Sequence, residues 1–169
     1  DVLGSRGLGD VYKRQEPVAL IGHSQGGIVA ATIASDLKDD YDVKHVVTAG
    51  SPVANHPIPD KTWVTSVEMD DELVAALDGA PNPNSEHWLT VRGTASKSDN
   101  NPKSTFAGTP VIDAPDNKEI THWLKYHQAA YQNATDMGSS AMKTHEQHFD
   151  EILDGDLQEV MYFEGRMSK

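Results

Sequence analysis

Ser24 stands in Gly22-His23-Ser24-Gln25-Gly26, between the apolar run Pro17-Val18-Ala19-Leu20-Ile21 and the small-residue stretch Gly27-Ile28-Val29-Ala30-Ala31. A serine hydroxyl is a poor nucleophile near neutral pH. It needs a base, and the base needs an orienting carboxylate. A strand that enters a helix through so sharp a turn holds its serine on strained backbone with the hydroxyl bare. The flanking positions must then carry almost no side chain. Glycine at 22 and 26 meets that need, on the expectation that a Cβ at either would collide with the neighbouring strand or helix. The chemistry this suits is attack on an acyl carbon. The backbone N–H of Gln25, at the helix start, is the expected donor to the oxyanion that would form.

The elements that must present this turn can be read outward from it. Val18–Ile21 is a short apolar run of the kind buried on both faces of a parallel sheet. Gly26 to Leu37 reads as an alanine-rich helix whose small side chains allow close packing. Strands are expected at Lys44–Ala49, at Thr62–Met69 with acidic residues crowding its end, and at His87–Arg92 after the Pro81-Asn82-Pro83-Asn84 turn. Strands separated by crossovers, with polar residues at strand ends, argue for an α/β fold with a mostly parallel sheet and flanking helices. Ligands on such sheets bind beyond the carboxyl ends of the strands. Residues 93–118 are polar and without periodicity, which predicts a lid or binding loop, or else a disordered segment. An amphipathic helix is expected from His122, carried by Trp123, Tyr126, Ala130, Tyr131 and Ala134. A second, shorter one is marked by Phe149, Ile152 and Leu153. Val160-Met161-Tyr162-Phe163 reads equally as helix or edge strand.

Composition narrows the function classes. The formal charge is −12, which disfavours nucleic acid and anionic membrane surfaces as partners, because no basic patch exists to neutralise phosphates. No run of apolar residues is long enough to span a bilayer as a helix. The absence of cysteine excludes disulfides, thiolate zinc sites and a cysteine nucleophile. His145-Glu146-Gln147-His148 offers two histidines on one helix face, a weak metal signal that reads more simply as an exposed polar face. Ser51, in Gly50-Ser51-Pro52, has no sharp turn around it and is read as part of a loop shaping the pocket floor. Asp78-Gly79 reads as a turn. Neither metal nor organic cofactor is expected.

With Gly-His-Ser-Gln-Gly-Gly, Thr-Ala-Gly-Ser-Pro and Ala-Leu-Asp-Gly-Ala-Pro-Asn-Pro, residues 17 to about 135 resemble the C-terminal half of bacterial lipase- or esterase-like α/β-hydrolases, with an actinobacterial source suggested. In that superfamily the strand–serine–helix turn is the nucleophile elbow, and the triad arrives in the order Ser, acid, His. The resemblance implies Ser24 as nucleophile, His122 as base and Asp71 as acid. His122 follows the long polar stretch and precedes a helix, where the family's histidine sits. His127, five residues deeper, is its rival. His23, inside the elbow, cannot reach round to act as base. Asp71 opens Asp71-Glu72-Leu73-Val74-Ala75, similar to the family's Asp-x-x-Val-Pro with Ala75 in place of proline. Asp70 and Glu72 are adjacent alternatives. The implied activity is cleavage of small-molecule or lipid carboxylic esters. Thioesterase or acyltransferase chemistry on the same triad, or a non-catalytic binding domain that keeps the elbow, are the alternatives.

Residues 1–15 read differently from the rest. Ser5–Gln15 matches one translated frame of a sequencing-library transposase adapter, so this stretch is expected to be non-native and the genuine chain to start at Glu16. Residues 16–169 are then the C-terminal half of an α/β-hydrolase domain whose N-terminal strands, and second oxyanion donor, are missing. Such a half-sheet is expected to expose an apolar edge, to aggregate and to be inactive by itself. Location and oligomeric state are left open, with a soluble cytoplasmic protein as the default.

Overall fold

The computed structural model describes residues 16–96, 105–106, 109–113, 121–157 and 159–162. The stretch read as adapter lies outside them. Six strands form one sheet in the order β1-β2-β3-β4-β6-β5. β1 is Pro17–His23, β2 Asp42–Ala49, β3 Trp63–Met69, β4 Trp88–Ser96, β5 Thr105–Phe106 and β6 Thr109–Asp113. β1 to β4 and β6 pair in parallel, while β5 runs antiparallel to β6. Among the described residues three α-helices accompany the sheet: α1, Gln25–Asp36; α2, Leu124–Met137; and α3, Ser140–Leu153. The α/β architecture, a mainly parallel sheet with flanking helices, is the one expected from the sequence.

Two packed clusters fix the layers. On one side Ala30 and Ala34 of α1 pack on Val43 and Val46, with Val18 and Leu20 beside them. The small residues of α1 let the helix approach the sheet closely: a Cβ at Gly27 would overlap the side chain of Ser51. On the other side Tyr126, Ala130 and Ala134 of α2 and Met142 of α3 pack on Val67, Met69 and Val91. Alternation along β3 produces this division, since successive side chains point to opposite faces. Ser66 meets Thr48 on the α1 side, whereas Val67 and Met69 face α2.

The structure corrects four expectations. β4 continues to Ser96, and β5 and β6 fall within the stretch expected to be one long loop. The polar, aperiodic sequence there hid short strands at a sheet edge, where pairing needs little apolar surface. α3 is as long as α2, 14 residues each, because its N-cap Ser139 accepts a bond from the Met142 N–H and starts the helix well before Phe149. Residues 160–162 form neither helix nor strand, and Phe163 lies outside the described residues.

The fourth concerns His145 and His148, read as an exposed polar face. His145 is buried. It belongs to a chain of contacts running from β2 through β3 to α3. His45 Nε2 lies 2.9 Å from Thr65 Oγ1, Thr65 Oγ1 lies 3.1 Å from His145 Nδ1, and His45 Nδ1 lies 3.0 Å from His148 Nδ1. His145 Nε2–H donates to the Glu86 carbonyl. Trp63 stacks between His87 and His148. Polar residues on α3 are therefore buried by partners that its own periodicity cannot reveal. Among the described residues no group of three or more ligating side chains could hold a metal ion.

Candidate active site

The elbow is built as its sequence demands. Ser24 has φ 55° and ψ −124°, and it is the one non-glycine residue with positive φ among those described. Such a conformation costs on the order of 1–3 kcal/mol and persists only where the surroundings over-determine it. Here the Ser24 N–H donates to the Ala49 carbonyl at 2.8 Å, tying the turn to the end of β2, and the Gly27 N–H closes onto the Ser24 carbonyl at 3.1 Å. Gly22 is obligatory, because a Cβ there would overlap the Gly26 backbone. The expectation for Gly26 itself is corrected: nothing lies near its would-be Cβ, and the second crowded position is Gly27. Gly26 is the backbone approached, not the side chain excluded.

Serine at the start of a helix ordinarily turns its hydroxyl back to cap the first turn. Ser24 makes no such bond. Its Oγ lies instead 2.9 Å from His122 Nε2. The Gln25 and Gly26 N–H groups, which open α1, have no acceptor within the helix, and they leave its positive end beside Ser24.

His122 precedes α2 and is held at three points. Its Nδ1–H donates to Glu72 Oε2 at 3.2 Å. Its own carbonyl accepts from His23 Nε2–H at 2.8 Å. Its ring stacks on that of His23 with centroids 5.0 Å apart. With Nδ1 donating, Nε2 is free to accept the serine proton, which is the tautomer a general base requires.

The carboxylate facing His122 is Glu72, one of the two alternatives to Asp71. After β3 ends at Met69 the chain turns tightly, with the Glu72 N–H bonded to the Met69 carbonyl at 3.2 Å. That turn leaves Asp71 exposed. Asp70 is directed to β4, where it accepts from Thr94 Oγ1 at 2.6 Å. Glu72 alone points inward, its side chain 0% exposed. Its other oxygen, Oε1, accepts from the Ala75 N–H at 3.3 Å and so caps the short 3-10 turn Val74–Ala76. Burial raises the Glu72 pKa, but the imidazoles of His127 and His122 outweigh it and hold the carboxyl below its ordinary value.

His127, on α2, is the second ring on this carboxylate. It is buried, with Nε2 2.9 Å from Glu72 Oε2. It does not approach Ser24 as His122 does; its ring packs edge-on against both His23 and His122. Gly50 closes the site from β2. It has φ +55°, and a Cβ there would lie 2.7 Å from His127 Nε2, 2.8 Å from Glu72 Oε1 and 3.0 Å from His122 Nδ1. Ser51 is buried and donates to the Ala49 carbonyl, pressed beneath α1 and away from solvent. Asp78 and Gly79 form a turn, in which Asp78 Oδ1 accepts from the Ala80 N–H.

Sequence reasoning passed over Gly50, the clamp made by His23 and the contact of His127 with Glu72. The signal for Glu72 was present as a cap pattern, an acidic residue three positions before Ala75 at a strand end. A cavity of about 480 Å³ is lined by His56, Ile58, Asp60, Val64, His87 and Trp88. It opens at the N-terminal ends of β3 and β4, the end of the parallel sheet opposite Ser24.

No curated protein and no solved structure matches the chain significantly. A family profile does match, over residues 8–112, a stretch that contains the elbow and Glu72 and ends before His122. That profile describes the PGAP1-like alpha/beta domain, a hydrolase-like fold, and the chain belongs to this family.

Proposed function

We propose that the protein is a serine hydrolase that cleaves carboxylic esters through an acyl-enzyme. Ser24 Oγ attacks the acyl carbon as its proton passes to His122 Nε2. Glu72 stabilises the imidazolium through Nδ1–H. The Gln25 N–H donates to the tetrahedral oxyanion. Collapse of the intermediate expels the alcohol, which takes its proton from His122, and water repeats the cycle on the acyl-enzyme. The observation that carries this reading is the 2.9 Å contact between His122 Nε2 and the hydroxyl of a serine held at φ 55°. Exposed Leu73, Leu77, Trp123 and Leu124 flank Glu72 and His122 in sequence and favour esters with an apolar portion.

A fluorophosphonate probe, applied to the product of the uninterrupted gene, tests the assignment. Labelling is expected to disappear in Ser24→Ala and to persist in Ser51→Ala, and His122→Ala is expected to abolish it. Labelling that survives Ser24→Ala overturns the nucleophile, and labelling that survives His122→Ala overturns the base. The reading extends to residues 1–15 as adapter-derived sequence, which the uninterrupted gene would test directly.

A further inference from the structure

His127 has an oxygen acceptor at each ring nitrogen. Nδ1 lies 3.1 Å from the Trp123 carbonyl, which can only accept, so Nδ1 carries a proton. Nε2 is buried and has no aligned hydrogen-bond partner, and what faces it is Glu72 Oε2 at 2.9 Å. A bare nitrogen lone pair against a carboxylate oxygen would be repelled. A proton on Nε2 turns the same contact into an attraction between opposite charges. The other titratable groups packed on this ring are His122, at 6.1 Å between centroids, and His23, at 5.6 Å. Neither supplies a negative charge. Gly50 keeps the Glu72–His127 contact close by presenting no side chain to it.

We propose that His127 is a positioning residue for the hydrolase reaction: as an imidazolium paired with Glu72 it fixes that carboxylate toward His122 and neutralises part of its charge. This rests on the ester-hydrolase reading for its consequence, though the pairing itself does not. With a cation beside Glu72, the net negative charge facing His122 is smaller. Removing the cation leaves the full carboxylate charge against His122. His127 therefore extends the acid side of the working range.

Two measurements test this. The first is 15N NMR of the histidine rings at pH 7, with His127 assigned by its loss in His127→Gln. Both nitrogens are expected to be protonated, and this signature is expected to vanish in Glu72→Gln. A neutral ring overturns the proposal. The second is the rate of fluorophosphonate labelling against pH. In His127→Gln, which keeps a donor but no charge, the half-maximal pH is expected to rise by about one pH unit, with the plateau falling less than about tenfold. A lower plateau at an unmoved half-maximal pH would mean that His127 only packs, and would refute the role. His127→Asn repeats the test should the glutamine variant fail to fold. Absence of labelling in the unsubstituted protein sinks the hydrolase reading alone, and the NMR signature then decides the pairing separately.

Discussion

Replacing Glu72 by glutamine keeps the side chain's shape but removes its charge and one of its two acceptor oxygens. The amide oxygen can still accept from the Ala75 N–H or from His122 Nδ1–H, the two bonds the structure shows at 3.3 and 3.2 Å, but not from both, and the pairing with His127 is lost as well. What disappears, under the proposed mechanism, is the attraction between Glu72 and a His122 imidazolium. The side chain is 0% exposed, so solvent screens it little. With charge centres about 4 Å apart and an effective dielectric near 20, that attraction is about 4 kcal/mol. At about 1.4 kcal/mol per tenfold in rate, Glu72→Gln is expected to slow Ser24 acylation by about a thousandfold. Asp71→Asn, at an exposed position, is expected to stay within about twofold of the parent. The assay is the second-order rate of fluorophosphonate labelling, or burst hydrolysis of an activated aryl ester, with thermal melts confirming that each variant folds. A Glu72→Gln variant within about threefold of the parent would refute the reasoning. So would an Asp71→Asn variant slowed by more than about tenfold, since it would mean that the turn after β3 directs a different carboxylate inward.

Three further outcomes are expected. Gly50→Ala places a methyl against three site atoms at a left-handed position; it should cost about 1–2 kcal/mol in stability and slow labelling by more than about tenfold, read by melts and probe kinetics together. His45, whose pKa burial chiefly, with His148 and His145, lowers from 6.5 to about 3, takes up its proton more readily unfolded. Stability is therefore full above about pH 6.5 and lost as pH falls toward 3, by a few kcal/mol at about 1.4 kcal/mol per pH unit; urea unfolding across this range should show the loss, and His45→Gln should flatten it. β1 pairs only with β2 among the described residues, and Ile21 and Val29 beside it are 72% and 56% exposed. Ile21→Lys should raise solubility, checked by light scattering, because a charge on an edge strand blocks further pairing.

The α/β architecture was readable because its signals are local. Apolar runs bounded by turns give the strands, and Gly22-x-Ser24-x-Gly26 between strand and helix gives the bend. The inward carboxylate was not readable in the same way. Asp70, Asp71 and Glu72 are chemically similar neighbours, and a tight turn of three residues decides which one faces Gly50. A template with proline at position 75 set the register at Asp71, whereas the reach of a glutamate side chain and the cap it makes on Ala75 favour Glu72. The histidines of α3 escaped for a different reason. A polar face predicts solvent unless another element supplies polar partners, and Thr65 and His45 lie 80 and 103 residues from their respective partners, His145 and His148.

The bond from the His23 ring to the backbone carbonyl of residue 122 acts as a built-in ruler. It measures the imidazole's placement from the residue adjoining Ser24, and so makes that placement independent of how much chain intervenes. Length changes in the chain just before Thr121 are then expected to leave the placement of the ring intact.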